Sequence, residues 1–191
     1  MRTSETHPLW IDAVDAGPGR GSIGITFAPG KHDRHATGGP WARDLGKDLD
    51  AIEARNAKAV VTLIETHEFR LLAIPDLGAE VQRRGMEWLH LPIRDVSTPG
   101  PEFEEQWPAH SKRLRGRLDA GENIVVHCRG GLGRAGMISA RLSVESGVEP
   151  EAAITRVRAA RPGAIETRPP VITATSSRNP RSMVSCSLEP T

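Results

Sequence analysis

Cys128 and Arg134 stand with five residues between them in the run His127-Cys128-Arg129-Gly130-Gly131-Leu132-Gly133-Arg134. The thiol follows an apolar, β-branched run and opens a segment patterned as a helix, where converging peptide N–H groups favour negative charge. Such a setting populates the thiolate, the nucleophilic form of sulfur. Glycines at 130, 131 and 133 let successive N–H groups turn inward as a nest for an anion. Arg134 adds a planar, two-pronged donor suited to phosphate oxygens. Residues 129–134 therefore read as a phosphate cradle with Cys128 in line for attack on phosphorus.

The same loop spells Gly131-Leu132-Gly133-Arg134-Ala135-Gly136, a GxGxxG between strand and helix that also fits a dinucleotide. A dinucleotide fold needs an acidic residue about 20 positions on, at a strand tip. Here that region is "EAAITRVRAA", which reads as a basic helix, and 55 residues follow Gly136, too few for the rest of such a fold. The thiol reading accounts for more of the loop.

Elements able to position this loop are legible around it. "GSIGITFAP" (21–29), "AVVTLI" (59–64), "MEWLHLPI" (86–93) and "NIVVH" (123–127) predict strands. Leu45, Leu49 and Ile52 at i, i+4, i+7 predict a helix, and further helices are expected over 75–85, 101–120, 136–146 and 150–161. Pro108 is expected to kink or interrupt the third of these. Strands alternating with helices predict an α/β fold with a largely parallel central sheet flanked by helices. The domain is expected to span 1–168. Residues 169–191, of which 12 are Ser, Thr or Pro, are expected to form a disordered tail.

Composition narrows the classes. The 191 residues are 38% hydrophobic and 26% charged with a net charge of +1, so no global field steers the chain to nucleic acid or a membrane surface. No run approaches the roughly 20 apolar residues of a membrane span, and the start lacks a signal-peptide core. Two cysteines, Cys128 and Cys186, are too few for a disulfide framework, and a cytoplasmic location is expected.

At His127–Arg134 the sequence resembles the cysteine-dependent protein tyrosine phosphatase superfamily, whose signature is His-Cys-x5-Arg. The wording Gly-Gly-Leu-Gly-Arg is similar to the kinase-associated phosphatase branch of the dual-specificity enzymes and its bacterial relatives. The likeness extends more loosely over residues 20–168, through "VVTLIETHEF" and "LPIRDVSTP". It implies a protein tyrosine phosphatase-like fold and phosphate-monoester hydrolysis on Tyr and Ser/Thr side chains through a phosphocysteine, without metal or cofactor. It implies Cys128 as nucleophile and Asp95, in Pro92-Ile93-Arg94-Asp95, as general acid and then base. His127 would order the loop beneath the thiol. Asp76 and Asp119, at helix ends, are weaker acids for this role, and His90 and His110 lack metal spacing.

Two departures stand out. Ala135 occupies the place where relatives carry Ser or Thr to help the thiolate leave, so slow breakdown of the phosphocysteine is expected. Arg168-Pro169-Pro170 opposes the helix with which relatives continue. Nothing resembles the long recognition loop of tyrosine-specific relatives, which implies a shallow site. Arg129 adds a second cation, and hydrolysis of phosphoinositides or inositol phosphates is the alternative. A phosphate-binding module with little turnover is a third reading, disfavoured because a pure binder has no use for Asp95. The segment "PGKHDRH" (29–35) has no chemistry assignable from sequence.

Overall fold

The β-branched runs pair into one five-stranded sheet. In the computed structural model, which describes residues 1–36 and 38–165, the sheet contains β1 (Asp12–Asp15), β2 (Ser22–Phe27), β5 (Ala57–Thr62), β6 (Glu87–His90) and β7 (Asn123–Cys128). Their order is β1-β2-β7-β5-β6, and every pairing except β1 with β2 is parallel. The largely parallel α/β sheet expected from the alternation is present. The assigned tail, 169–191, lies outside the described residues.

Alternation along the central strands sends side chains to two cores. Ile25, Val61 and Val126 face α4 (Pro101–Asp119), α5 (Gly133–Glu145) and α6 (Pro150–Ala160). Val60 and Val125 face α1 (Leu45–Glu53) and α3 (Leu77–Arg83). β7 is thus buried on both faces and both edges. Its register pairs Cys128 with Phe27 of β2 and His127 with Thr62 of β5. The thiol therefore stands at the carboxyl end of the central strand, where ligands gather in parallel sheets.

Four features depart from the sequence reading. β1 adds an antiparallel edge of four residues. A single-turn-scale helix, α2 (Thr66–Leu71), lies in the run "ETHEF" and beyond it. β3 (His32–Asp33) and β4 (Trp41–Ala42) pair within the Gly-rich loop after β2. Finally, α4 runs unbroken through Pro108. The ring lies on the exposed side while Phe103, Trp107 and Leu114 are buried, so packing on the core side holds the helix and the lost hydrogen bond falls toward water.

Candidate active site

Gly131 sets the geometry of the thiol loop. Its φ is +72°, and a Cβ there would lie 2.5 Å from the carbonyl of Thr26, so only glycine fits. Its N–H donates to Cys128 Sγ at 3.2 Å, and the thiol is only 3% exposed. Behind the loop, Arg161 at the end of α6 donates to the carbonyls of Gly131 (2.6 Å) and Gly130 (3.4 Å) and pairs with Asp12 at 2.7 Å. Arg161 thus ties down the carbonyl side of the loop whose Gly131 N–H faces the sulfur. Sequence patterning gave no sign of Arg161.

Arg134, in the first turn of α5, is almost fully buried. Glu68 of α2 grips it with both oxygens, Oε2 2.6 Å from Nη1 and Oε1 3.1 Å from Nη2. Nη1 also donates to the Ile93 carbonyl at 3.1 Å. Burial would raise the Glu68 carboxyl, but the Arg134 guanidinium outweighs it and holds the group below its ordinary range. Glu68 was invisible to sequence reasoning, because its role depends on a residue 66 positions away. The capping box joining Glu65 and Glu68 is the local signal that could have marked the start of α2.

Asp95 is brought to the same place. Its carboxylate, 51% exposed, lies 2.9 Å from Arg134 Nη2, on an edge of the guanidinium that a phosphate would also use. The next residue, Val96, has φ +54° and is 82% exposed. A β-branched residue in that region is strained, so the loop carrying Asp95 stores backbone strain beside the cavity.

His127 is fully buried, with Nε2 2.8 Å from Thr62 Oγ1, which also accepts from Trp88 Nε1 at 2.9 Å. Burial pushes its pKa down to about 3. The ring is neutral at physiological pH and lies within the sheet beneath the thiol.

A cavity of about 750 Å³ opens above these groups, and Cys128, Arg134 and Asp95 line it together with Arg129, Gly130, Leu132 and Gly133. Its far wall comes from the segment that carried no assigned chemistry. Lys31 is 6% exposed, donates to the Arg129 carbonyl at 3.3 Å, and lies 4.7 and 5.0 Å from the ring centres of Phe27 and Trp41. Asp33 accepts from Arg129 Nε and Nη2 at 3.2 and 2.9 Å, so Arg129 is turned to a carboxylate rather than left free for substrate. Asp48 of α1 fixes this segment by accepting from the Gly30 N–H at 2.8 Å while paired bidentately with buried Arg43. The weaker candidates lie elsewhere. Asp76 stands at the N-cap position of α3 without a side-chain capping bond, Asp119 pairs with Arg20, and His90 contacts the Ile64 carbonyl at 2.9 Å.

The family model described as "Polymorphic toxin system, DSP-PTPase phosphatase" matches residues 37–148. The chain belongs to this family of dual-specificity-type phosphatases. It is 28% identical over 128 residues to cyclin-dependent kinase inhibitor 3 of Rattus norvegicus, covering 65% of this chain and 59% of that one. It is 33% identical over 92 residues to protein tyrosine phosphatase type IVA 3 of Bos taurus, covering 47% and 51%. The chain thus spans little more than half the length of these relatives. Among solved structures, kinase-associated phosphatase shares the fold with a TM-score of 0.71 at 24% identity, covering 84% of this chain and 88% of that one. The active form of Tk-PTP is 31% identical with a TM-score of 0.57, covering 83% and 90%. The protein tyrosine phosphatase-like fold implied by the His-Cys-x5-Arg resemblance is the fold these comparisons show.

Proposed function

We propose that this chain hydrolyses phosphate monoesters on Tyr and Ser/Thr side chains of proteins through a phosphocysteine at Cys128. The observation that carries this reading is the meeting of Asp95 and Arg134, 39 residues apart in sequence, in the cavity over the thiol. Phosphate takes the edge of Arg134 now held by Asp95, and loop N–H groups bind its oxygens. The thiolate attacks phosphorus as the ester P–O bond breaks, and protonated Asp95 gives its proton to the leaving oxygen. The Asp95 carboxylate then takes a proton from water as that water attacks phosphorus and the P–S bond breaks. Inorganic phosphate leaves and the thiolate returns. His127, neutral and buried, orders the loop without exchanging protons. A reducing cytoplasm suits a free nucleophilic thiol.

Phosphorylated small molecules are the second reading, and the buried ammonium of Lys31 on the cavity wall favours it.

Hydrolysis of phenyl phosphate in the presence of chelator tests the proposal. Cys128→Ser is expected to abolish turnover, and Asp95→Asn to lower kcat by about 10²–10⁴-fold. Full turnover by Cys128→Ser, or by either variant only with added metal, would overturn it. Among the described residues the only hydrogen bond to Sγ comes from Gly131, and fully buried Ala135 offers no hydroxyl. Ala135→Ser is expected to speed phosphocysteine breakdown about ten-fold or more, the worth of a hydrogen bond to a departing charge. Stopped-flow measurement showing an unchanged second step would refute that assignment.

A further inference from the structure

Four cationic side chains line the cavity, and their partners divide them sharply. Arg134 is paired with Glu68 and Asp95, Arg129 with Asp33, and Arg161 with Asp12. Lys31 has no carboxylate within ion-pair distance among the described residues. Its ammonium can donate three hydrogen bonds and makes one, to a carbonyl at 3.3 Å. Asp33, two residues on, is turned to Arg129. A buried cation with no carboxylate in contact is costly, and burial pushes Lys31 down to about 8 against the opposing pull of nearby Asp33 and the Cys128 sulfur. It remains largely charged at neutral pH.

The sheet fixes where this charge stands. β2 and β5 flank β7 on opposite sides. Glu68 and Asp95 follow β5 and β6, so the acid and the fork of Arg134 lie on one side of the thiol. Lys31 follows β2 and lies on the other side, against Phe27 and Trp41. The scissile phosphate is held by the loop and Arg134. A cavity of about 750 Å³ is in the range that accepts a whole small ligand, larger than one phosphate requires.

We infer that Lys31, on its aromatic wall, receives a second anionic group of the substrate, so that the cavity takes compact phosphate monoesters carrying a neighbouring phosphate or carboxylate. The inference rests on the hydrolytic reading for its first phosphate site and adds a second. A compact ligand fits better than an acidic neighbour in a long peptide, because Lys31 is buried on the wall of the cavity. The more exposed Arg129, which an acidic peptide would meet first, is neutralised by Asp33.

Binding to Cys128→Ser separates this inference from hydrolysis, since it needs no turnover. Isothermal titration would compare phenyl phosphate with 1,2-phenylene bisphosphate and with 2-carboxyphenyl phosphate, which distinguish phosphate from carboxylate as the second group. At least one of the doubly anionic esters is expected to bind ten-fold or more tighter than phenyl phosphate. Adding Lys31→Met is expected to collapse that ratio toward one, and Lys31→Arg to retain most of it. Equal affinity for all three esters in Cys128→Ser overturns the inference whether or not the lysine variants fold. So does a uniform loss for all three esters with Lys31→Met, which would make Lys31 a counter-ion of the scissile phosphate, or an undiminished ratio. If phenyl phosphate is not hydrolysed by the wild type yet the affinity ratio stands, the hydrolytic reading fails and the second-anion site survives.

Discussion

The two sides of the thiol loop are built on opposite electrostatic terms. On the β5–β6 side, buried Arg134 is held by a buried carboxylate, a half-exposed one and a backbone carbonyl. On the β2 side, Lys31 is buried against two aromatic rings with one long hydrogen bond, and the ion pair beside it, Arg129–Asp33, is partly open to solvent. Both sides carry positive charge toward the cavity, but Arg134 meets carboxylates directly and Lys31 meets none among the described residues. The compensated side suits a task that must not vary, orienting one phosphate over sulfur. An uncompensated cation suits a task that waits for a ligand. A protein that keeps such a group gives up stability for it, which is common where function resides.

Removing the acidic partner on each side sharpens the contrast. Glu68→Gln leaves Arg134 buried with its main carboxylate gone, and an urea or guanidinium unfolding curve is expected to show a loss of about 3–5 kcal/mol. Its kcat should also fall as the fork loses its orientation. A loss below about 1 kcal/mol would mean that Glu68 does not organise this side.

Between the two sides lies His127, and pH reads its burial. Its folded pKa, about 3, lies below the unfolded value of about 6.5. Above pH 6.5 both states are neutral and its contribution is complete. Below that the unfolded chain binds a proton that the folded chain refuses, so stability falls as pH drops toward about 3. The expected slope is about 1.4 kcal/mol per pH unit for this one group, lost in His127→Gln. A slope identical in the variant would refute the assignment. Glu68 adds to acid sensitivity lower down. Its depressed folded pKa gives stability that is complete above the ordinary carboxylate value and is lost as pH falls further.

The smallest effect is expected on the β2 side. Asp33→Asn breaks a partly exposed pair and should cost about 1 kcal/mol or less. It should also free Arg129 and tighten binding of inorganic phosphate, measured by titration. Weaker phosphate binding would mean that Asp33 positions Arg129 for the anion rather than neutralising it.

Much of this was legible in sequence where signals are local. Cys128, Gly131 and Arg134 lie within one loop whose spacing states its geometry, and the β-branched runs announced a parallel sheet. Asp95 was reached through resemblance, and the fold brought it to Arg134. Glu68 was missed because α2, at six residues, is too short to show a period and its partner is 66 residues away. Lys31 and Asp33 were visible only as an unexplained polar run, since their meaning comes from the loop they meet across the β2–β7 pairing. Pro108 does not interrupt α4, because the packing of Phe103, Trp107 and Leu114 on its core side holds the helix through the ring.

The central claim is that phosphate passes through the sulfur of Cys128. Rapid quench during turnover of phenyl phosphate, followed by mass spectrometry of the Cys128 peptide, tests it most directly. Because Ala135 supplies no hydroxyl to the departing thiolate, a large fraction of the protein is predicted to carry one phosphate on Cys128 in the steady state, with release of phenol in a burst. Turnover without phosphate on Cys128 at any time, and without a burst, would contradict the account.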